Sequence, residues 1–470
     1  MSIKRNFLFS LGASTLLWAC QAQKIKQDVI PALPDNYRTE QTWSNDSGIA
    51  HIQWRDFFTD PFLQALIDTA LLKNVDMQIA LKNIESATLE VKRAKAALLP
   101  SLQLQIQANT TNPSNNSLNG VSLSQFLGQN HIEDYNAALA VSWEADIWGK
   151  IKSQKAAAFA SYLQTTEAKA AIQTQLINQV AKGYYRLLML YSAKEIAEQS
   201  LRLSENSLAL AQYQYEVGDI SLLAVEQIAA QKFAAAALIP DFQQQVALQE
   251  NALRILSGKL PAEIRIQKKL QDVELPSLIG VGVPAQLLSQ RPDIKQRELA
   301  IVASEASAHA ARAQMYPSLV ISAQAGVNAL TASNWFNIPA SLFGSLTGGL
   351  TQPILQKRQL RTQYELAQVE YEKSVILFRQ AVLNATGEVS DALVSIHRLA
   401  ERENIVLEKT ARLKSAIQNA DLLFETGSAT YLDVVAAQSS ALQSELELVQ
   451  IRQSELAATV DLYRSLGGGW

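Results

Sequence analysis

The stretch Arg312-Ala-Gln-Met-Tyr-Pro-Ser-Leu-Val-Ile-Ser-Ala-Gln-Ala-Gly-Val327 decides the fold, and Arg93-Ala-Lys-Ala-Ala-Leu-Leu-Pro-Ser-Leu-Gln-Leu-Gln-Ile-Gln-Ala108 repeats its pattern. In each copy a helix-favouring, Ala-rich run stops at a proline, Pro317 or Pro100. Proline cannot continue a helix and biases the residue before it toward extended conformations, so each copy predicts a helix, a sharp turn and a strand. The two prolines are 217 residues apart, which is near half the chain and predicts a duplicated unit.

Alternating polarity predicts four strands. In the clearest of them, residues 102–109, apolar side chains alternate with glutamines, as in a strand with one apolar and one polar face. The other three lie at about 135–143, 318–327 and 342–350. The sequence therefore predicts two β-hairpins per chain, residues 101–144 and 318–352, with polar loops.

Two long runs without proline predict the main helices. Residues 149–218 and 357–425 each end at a glycine, Gly218 or Gly427, and glycine often ends a helix in the left-handed conformation. Each run predicts a helix of about 100 Å. Shorter helices are predicted at about 62–98, 221–257, 292–316 and 431–466. Two short helices stacked end to end beside one long helix would form a shaft of about the same length.

Composition excludes several classes of protein. The chain has 470 residues, a net charge of −3 and one cysteine, so it lacks the basic stripe of a nucleic-acid-binding protein and cannot form an intrachain disulfide. Beyond the N-terminus we expect no spanning helix, because no apolar run reaches roughly 18 residues. The sequence contains no Gly-x-Ser-x-Gly, P-loop or His-Glu-x-x-His motif. The four histidines are scattered: His51, His131, His309 and His397. We expect no enzyme, no cofactor and no metal site.

The first twenty residues have the pattern of a secretory signal. Lys4 and Arg5 precede an apolar segment that is too short to span a membrane. The segment ends at Leu17-Trp18-Ala19-Cys20, which resembles a bacterial lipobox, in which residues 1–19 are removed and the cysteine is lipidated. Gln21 is not an aspartate, which favours sorting to the outer membrane of a Gram-negative cell. The alternative is an ordinary signal peptide followed by an incidental thiol.

An apolar strand face needs a covering, and the predicted helices are too long to supply it. Lipid is one possible covering, but within lipid only a closed barrel is allowed. Four strands cannot close; two chains would give eight strands and a filled lumen, and three chains would give twelve and an open one. On this hypothesis Leu104 and Ile321 face lipid, whereas Gln105 and Gln324 face water. A soluble sandwich is the alternative.

A series of motifs from about residue 54 to the end resembles the TolC-like outer-membrane efflux factors, in their lipoprotein (NodT-type) branch. The motifs are Trp54–Pro61, Leu99-Pro-Ser-Leu102, Ser142-Trp-Glu-Ala-Asp-Ile-Trp-Gly149, Arg291-Pro-Asp-Ile294, Tyr316-Pro-Ser-Leu319, Leu350-Thr-Gln-Pro-Ile354, Thr430-Tyr-Leu-Asp-Val434 and Leu466-Gly-Gly-Gly-Trp470. This resemblance implies a homotrimer with a shared twelve-stranded barrel in the outer membrane and a helical tunnel in the periplasm. It also implies a periplasmic adaptor (membrane fusion) protein and an inner-membrane efflux pump as partners, with docking at the tips around Gly218 and Gly427.

The resemblance also implies a periplasmic gate at Phe424, Leu432 and Asp433. Ala436 stands where a second aspartate occurs in the family, so the closing network is expected to be thinner here. An alternative role for Asp433 is structural, because Thr430-Tyr-Leu-Asp433 matches a capping box. Both roles can coexist.

The predicted domains are a signal peptide (1–19), a lipidated N-terminal and equatorial segment (20–60), a first repeat (61–258), an equatorial linker (259–290) and a second repeat (291–470). The predicted function is a passive export duct in the outer membrane. One alternative is a lipid-anchored periplasmic coiled-coil adaptor or scaffold without a pore, and a secreted pore-forming protein is a third possibility. The sequence leaves the cargo open among drugs, metal ions, dyes and peptides.

Overall fold

The helix-turn-strand pattern occurs twice in the computed structural model, which describes Tyr37 and residues 52–126, 128–274 and 284–470. Within these residues the α-helices are α1 (Trp54–Phe57), α2 (Pro61–Lys73), α3 (Val75–Ala96), α4 (Leu118–Phe126), α5 (Lys150–Glu216), α6 (Leu222–Leu256), α7 (Leu287–Gln290), α8 (Pro292–Ala313), α9 (Gln359–Glu425) and α10 (Tyr431–Ser465). The strands are β1 (Ser101–Thr111), β2 (Ile132–Ala145), β3 (Ser318–Ala329) and β4 (Leu342–Thr351). The predicted signal peptide and Cys20 lie outside the described residues.

The four strands form one antiparallel sheet in the order β1-β2-β3-β4. The two predicted hairpins are joined edge to edge, because β2 pairs with β3 from Tyr135↔Ala329 to Ala145↔Leu319. The strands contain between 10 and 14 residues, which is enough to cross the hydrocarbon core of a bilayer at a tilt.

Two long helices dominate the rest of the chain and confirm the predicted helical shaft. Helices α5 and α9 have 67 residues each, or about 100 Å at 1.5 Å per residue. The returning helices α6 and α10 have 35 residues each, and they pack along α5 and α9 respectively. The equal lengths in the two halves agree with the duplication inferred from the prolines.

The first predicted helix, 62–98, is broken, and the single-helix prediction was wrong there. Helices α2 and α3 meet at Asn74. The Asn74 side chain accepts hydrogen bonds from the backbone N–H groups of Asp76 and Met77 at 2.9 and 3.2 Å. Its amide donates to the carbonyl of Leu256 at 3.0 Å. Asparagine is a strong N-cap residue, so the sequence contained a signal for a helix start at this position. The hydrogen bond from Asn74 to the end of the distant α6 is what fixes the break there.

A buried anchor begins the first half. Asp60 caps α2, with Oδ1 accepting from the Phe62 N–H at 2.8 Å. Its Oδ2 accepts from the Tyr184 hydroxyl at 2.6 Å, and Tyr184 lies at the centre of the main hydrophobic core. Burial, followed by the hydrogen bond to Asp60, raises the pKa of the Tyr184 hydroxyl. Asp60 therefore fixes the start of α2 against the middle of α5.

A different anchor begins the second half. Arg291 is 4% exposed, and its guanidinium donates to both carboxylate oxygens of Asp293 at 3.0 and 2.7 Å. It also donates to the Ser465 carbonyl at 3.0 Å and lies 2.8 Å from Glu388. Burial disfavours the charge of Asp293, but the bonds and charge of Arg291 outweigh that effect and hold the pKa of this carboxyl below its usual value. Arg291 therefore joins α8, α9 and the end of α10.

The expectation of no spanning helix beyond the N-terminus needs correction in one place. Helix α6 is long and apolar enough to cross a membrane by length and composition. Its apolar character comes largely from alanines, such as 234–237, and Glu226 and Lys232 interrupt the run. An uninterrupted apolar run is therefore absent although the average is high. The helix packs along α5.

Candidate functional site

One face of the sheet is apolar and uncovered. The register places Leu104 beside Leu139, and four residues further along β2 the pair of Trp143 and Ile321 lies on the same face. Leu104 is 66% exposed and Leu346 is 77% exposed. The structure confirms that Leu104 and Ile321 share one face. A contiguous apolar surface of this kind marks a contact with protein or membrane.

The opposite face is hydrophilic. Gln103, Ala140, Gln324 and Ser345 form one row across the four strands. Gln105 follows Gln103 by two residues and so points to the same side. The predicted division between Leu104 and Ile321 on one face and Gln105 and Gln324 on the other is therefore correct. The assignment of these faces to lipid and to water remains a prediction.

The chain has an open edge on each side. Among the described strands β1 and β4 each have one partner, so one long edge of each is unpaired. The helices show the same asymmetry. Helix α8 of the second half packs along α5, the long helix of the first half. Its counterpart in the first half, α3, has no comparable contact with α9, the long helix of the second half. Both the sheet and the helices thus present surfaces that a second copy of the chain could complete.

The long helices end in matching turns at the tip far from the sheet. Gly218 and Gly427 have φ of +89° and +69°, a left-handed conformation that side chains with a Cβ rarely adopt. Nothing lies within 4 Å of a Cβ added at either position, so conformation and not space requires glycine. The Gln214 amide donates to the Phe424 carbonyl at 3.4 Å and joins the two turns.

The three predicted gate residues have different environments. Asp433 makes a capping box at the start of α10: its Oδ2 accepts from the Thr430 N–H at 2.9 Å and from the Thr430 hydroxyl at 2.7 Å. The Thr430 hydroxyl bond, followed by the backbone bond, lowers the pKa of Asp433. Leu432 is 55% exposed, whereas Phe424 is 3% exposed. In this conformation Phe424 packs inside the chain and does not line an opening.

Sequence reasoning missed most of the acids at the tip. Between Arg202 and Lys232, and between Lys414 and Arg452, the chain contains acidic residues and no lysine or arginine. The acids nearest to the turns are Glu216, Asp219, Asp421, Glu425 and Asp433. Burial, followed by the charge of Glu425 one turn away, raises the pKa of Asp421. The signal that could have found these residues was the absence of basic residues over both turns.

The described residues contain no group of three or more His, Cys, Asp and Glu side chains that could hold a metal ion. His131, His309 and His397 each lie 3.4 to 3.9 Å from a glutamate, and they are far apart in sequence. His51 lies outside the described residues.

A shaft of about 100 Å, joined to a two-faced sheet with open edges, defines a class of protein: a subunit of a channel with a membrane part made of strands and a water-exposed tunnel made of helices. Residues 66–259 and 283–468 match the family model described as outer membrane efflux protein. The chain belongs to this family. It is an outer-membrane efflux channel that extends into the periplasm, with a helical tunnel and a β-barrel part.

Three comparisons support this assignment. The cation efflux system protein CusC of Escherichia coli O6:H1 is 29% identical over 421 residues, which cover 89% of this chain and 88% of CusC. The probable outer membrane lipoprotein SilC of Salmonella typhimurium is 27% identical, covering 89% of this chain and 88% of SilC. A crystal structure of CusC, described in terms of transmembrane channel formation, has a TM-score of 0.80 and 27% identity, and covers 94% of this chain and 98% of that one.

Proposed function

We propose that this protein is the passive outer-membrane duct of a tripartite efflux pump, and that three copies form the duct. The observation that carries the proposal is the sheet, which combines an uncovered apolar face with two unpaired edges. Joining β4 of one copy to β1 of the next satisfies both edges. Two copies would give eight strands and a lumen filled by side chains, whereas three give twelve and a lumen that conducts.

The helical part supports the same head-to-tail assembly. Helix α8 packs on both α5 and α9, which joins the two halves within a chain. The equivalent contact of α3 with α9 is not extensive within the chain, so the α9 of a neighbour is the natural partner for α3. Heterologous contacts of this kind close into rings.

Cys20 is proposed as the lipid anchor and mature N-terminus. The support is the Leu17-Trp18-Ala19-Cys20 lipobox, together with the similarity to SilC, which is named as a probable outer membrane lipoprotein. The proposed boundaries remain a signal peptide at 1–19, equatorial segments at 20–60 and 259–290, and repeats at 61–258 and 291–470.

The tip is proposed as the docking and gating end. A periplasmic adaptor would dock at the turns around Gly218 and Gly427, and an inner-membrane pump would deliver the cargo. Leu432 and Asp433 would line the opening, whereas the buried Phe424 would pack inside the chain and stabilise the turn. The protein carries out no chemistry on the cargo in this mechanism: access through the tip controls transport.

The experiment measures assembly and conduction together. The protein, purified in detergent, is analysed by light scattering for the number of chains per particle and is then added to planar bilayers. We expect three chains and discrete conductance steps. If the protein instead attaches to bilayers only through the lipid on Cys20, it will give no conductance even after mutation of the tip. That result would support the scaffold without a pore.

A further inference from the structure

The junction between the sheet and the helices carries a strong positive charge. We call residues 90–100, 142–155, 312–318 and 350–365 the junction belt, because they contain the adjoining ends of strands and helices. The basic residues of the belt are Lys92, Arg93, Lys95, Lys150, Lys152, Lys155, Arg312, Lys357, Arg358 and Arg361. The acidic residues are Glu90, Glu144, Asp146 and Glu365. The belt has a net charge of +6 in a chain whose total is −3.

The acids of the junction belt already have partners. Glu144 pairs with Lys150 at 2.6 Å, and Glu365 pairs with Arg358 and Arg361. Glu90 pairs with Arg93, and Asp146 accepts from the backbone N–H groups at the start of α5. Five lysines have no ion-pair partner in the part of the chain that the structure describes: Lys92, Lys95, Lys152, Lys155 and Lys357. Their charges require an anion from outside the chain or remain solvated.

Helix stability does not explain all of these lysines. Lys92 and Lys95 lie at the C-terminal end of α3, where a positive charge favours the helix dipole. Lys152 and Lys155 lie in the first two turns of α5, and Lys357 lies two residues before the start of α9. A positive charge at the N-terminal end of a helix is unfavourable. An anion at these positions would interact with both the lysines and the helix ends.

In a bilayer that the sheet spans, the belt would lie at the depth of the headgroup layer. The Trp143 indole donates to the Leu98 carbonyl at 3.0 Å, and the Trp148 indole donates to the Pro317 carbonyl at 2.7 Å. These bonds place two interfacial aromatic residues at the strand ends, where Ile354 and Leu355 are also exposed. The five lysines lie within five residues of a helix end, or about 8 Å along the axis. A headgroup layer is roughly 5–8 Å thick.

The opposite end of the sheet has the opposite sign. Residues 112–134 and 330–341 include the connections and the start of β2 there, and they contain Glu133 and Asp134 but no lysine or arginine. The positive charge is therefore specific to the end from which the helices emerge. We propose that the junction belt binds the phosphate headgroups of anionic phospholipids in the leaflet on the helical side of the barrel. The proposal rests on the proposed barrel function for the placement of the sheet in a bilayer.

The test uses the purified full-length channel in bilayers that contain brominated lipid, which quenches nearby tryptophans. Trp335 lies at the other end of the sheet, so a Trp335→Phe background leaves Trp143 and Trp148 as the tryptophans of the junction belt. Trp43, Trp54 and Trp470 lie outside the belt and both hairpins and add emission that bromine in the bilayer should not quench. Quenching by dibromo-phosphatidylglycerol is compared with quenching by dibromo-phosphatidylcholine. We expect a preference of about fivefold or more for the anionic lipid. Changing the five lysines to glutamine should reduce this preference to near one.

The control is Lys73→Gln with Arg412→Gln, which removes two exposed cations in the helical part of the chain that have no ion-pair partner among the described residues. The control should keep the preference. Equal quenching by the two lipids in the unmutated channel, or equal loss of the lipid preference in both variants, would overturn the proposal.

Abolition of the preference by millimolar inorganic phosphate would reassign the belt to free phosphate. Altered ion selectivity with an unchanged lipid preference would place the lysines in the lumen. Conductance in phosphatidylcholine alone tests the duct separately.

Discussion

The two halves of the chain share one scaffold but anchor it differently. In the first half the entering helix is held by Asp60, a carboxylate that serves as an N-cap and accepts from Tyr184. In the second half the anchor is Arg291, a buried cation shared by Asp293, Glu388 and the Ser465 carbonyl. At the 217-residue spacing the counterpart of Arg291 is Asn74, the N-cap of α3, and not Asp60. The two halves thus agree in the lengths of α3 and α8, of α5 and α9 and of α6 and α10, whereas the polar groups at the helix starts differ.

The tips show the same divergence on a smaller scale. Ser221 accepts one long bond, 3.4 Å, from the Ala224 N–H, whereas Thr430 and Asp433 form a reciprocal box. Both turns need glycine for the same conformational reason. Positions where the halves agree therefore indicate what the scaffold requires, and positions where they differ indicate what one half does alone.

The largest effect is expected at the anchor of the second half. Arg291→Gln removes a buried cation from the half-exposed carboxylates of Asp293 and Glu388 and from the Ser465 carbonyl, and each hydrogen bond of a charged group contributes about 1.5–3 kcal/mol. Helix unfolding followed by circular dichroism in detergent measures the change. Arg464→Gln is the control, because Arg464 also contacts Glu388, at 3.3 Å, but is more exposed, and it should lose about 1 kcal/mol or less. Equal losses would show that the burial of Arg291 adds nothing to its contribution.

The two faces of the sheet should differ almost as strongly. Leu104→Arg puts a charge on the proposed lipid face and should cost about 2–4 kcal/mol near the midplane, whereas Gln105→Arg on the lumen face should cost much less. Ile321→Arg and Gln324→Arg repeat the comparison in the second half. The fraction of heat-stable trimer after membrane extraction measures assembly. Equal assembly of Leu104→Arg and Gln105→Arg would exclude a membrane barrel.

The shared turns should respond alike and weakly. Gly218→Ala and Gly427→Ala each force a Cβ into a left-handed conformation, at about 1–2 kcal/mol. Gly387→Ala is the control, since Gly387 lies inside α9 with open space around its Cα and should gain about 0.5–1 kcal/mol. Hydrogen exchange at the turns measures the effect. A turn that tolerates alanine without faster exchange would show that its glycine is not required for the scaffold.

Local patterns in the sequence predicted most of the fold. Proline stops, turn glycines and period-two alternation placed every strand and long helix within about three residues of its ends. The break at Asn74 was missed because its cap is completed by the Leu256 carbonyl from a distant helix. The burial of Phe424 was missed for a similar reason, since it depends on packing between the turns. The pairing of β2 with β3 also depends on contacts between the halves, which no local pattern encodes.

The smallest expected effect separates the gate from the cap at Asp433. In the proposed trimer three copies of Asp433 surround one opening and attract cations. Multivalent cations on the tip side should block conductance in planar bilayers, and Asp433→Asn should weaken the block a few-fold, because it removes one negative charge per chain from the opening. Asp219→Asn, the same charge change at the first turn, is the control and should leave the block unchanged.

Two further measurements distinguish a local role for Asp433 from a general loosening of the tip. Thr430→Ala removes the capping hydroxyl and keeps the carboxylate, so it should preserve the block if the charge matters and alter it if only the cap matters. The pH dependence gives the second distinction. The pKa of Asp433 is lowered by the Thr430 bonds, so its charge, and the block, should persist as the pH falls to about 4 and disappear below the usual carboxyl range. The pKa of Asp421 is raised, so a block lost at higher pH would assign the cation site to Asp421, while Asp433 would serve only as the helix cap.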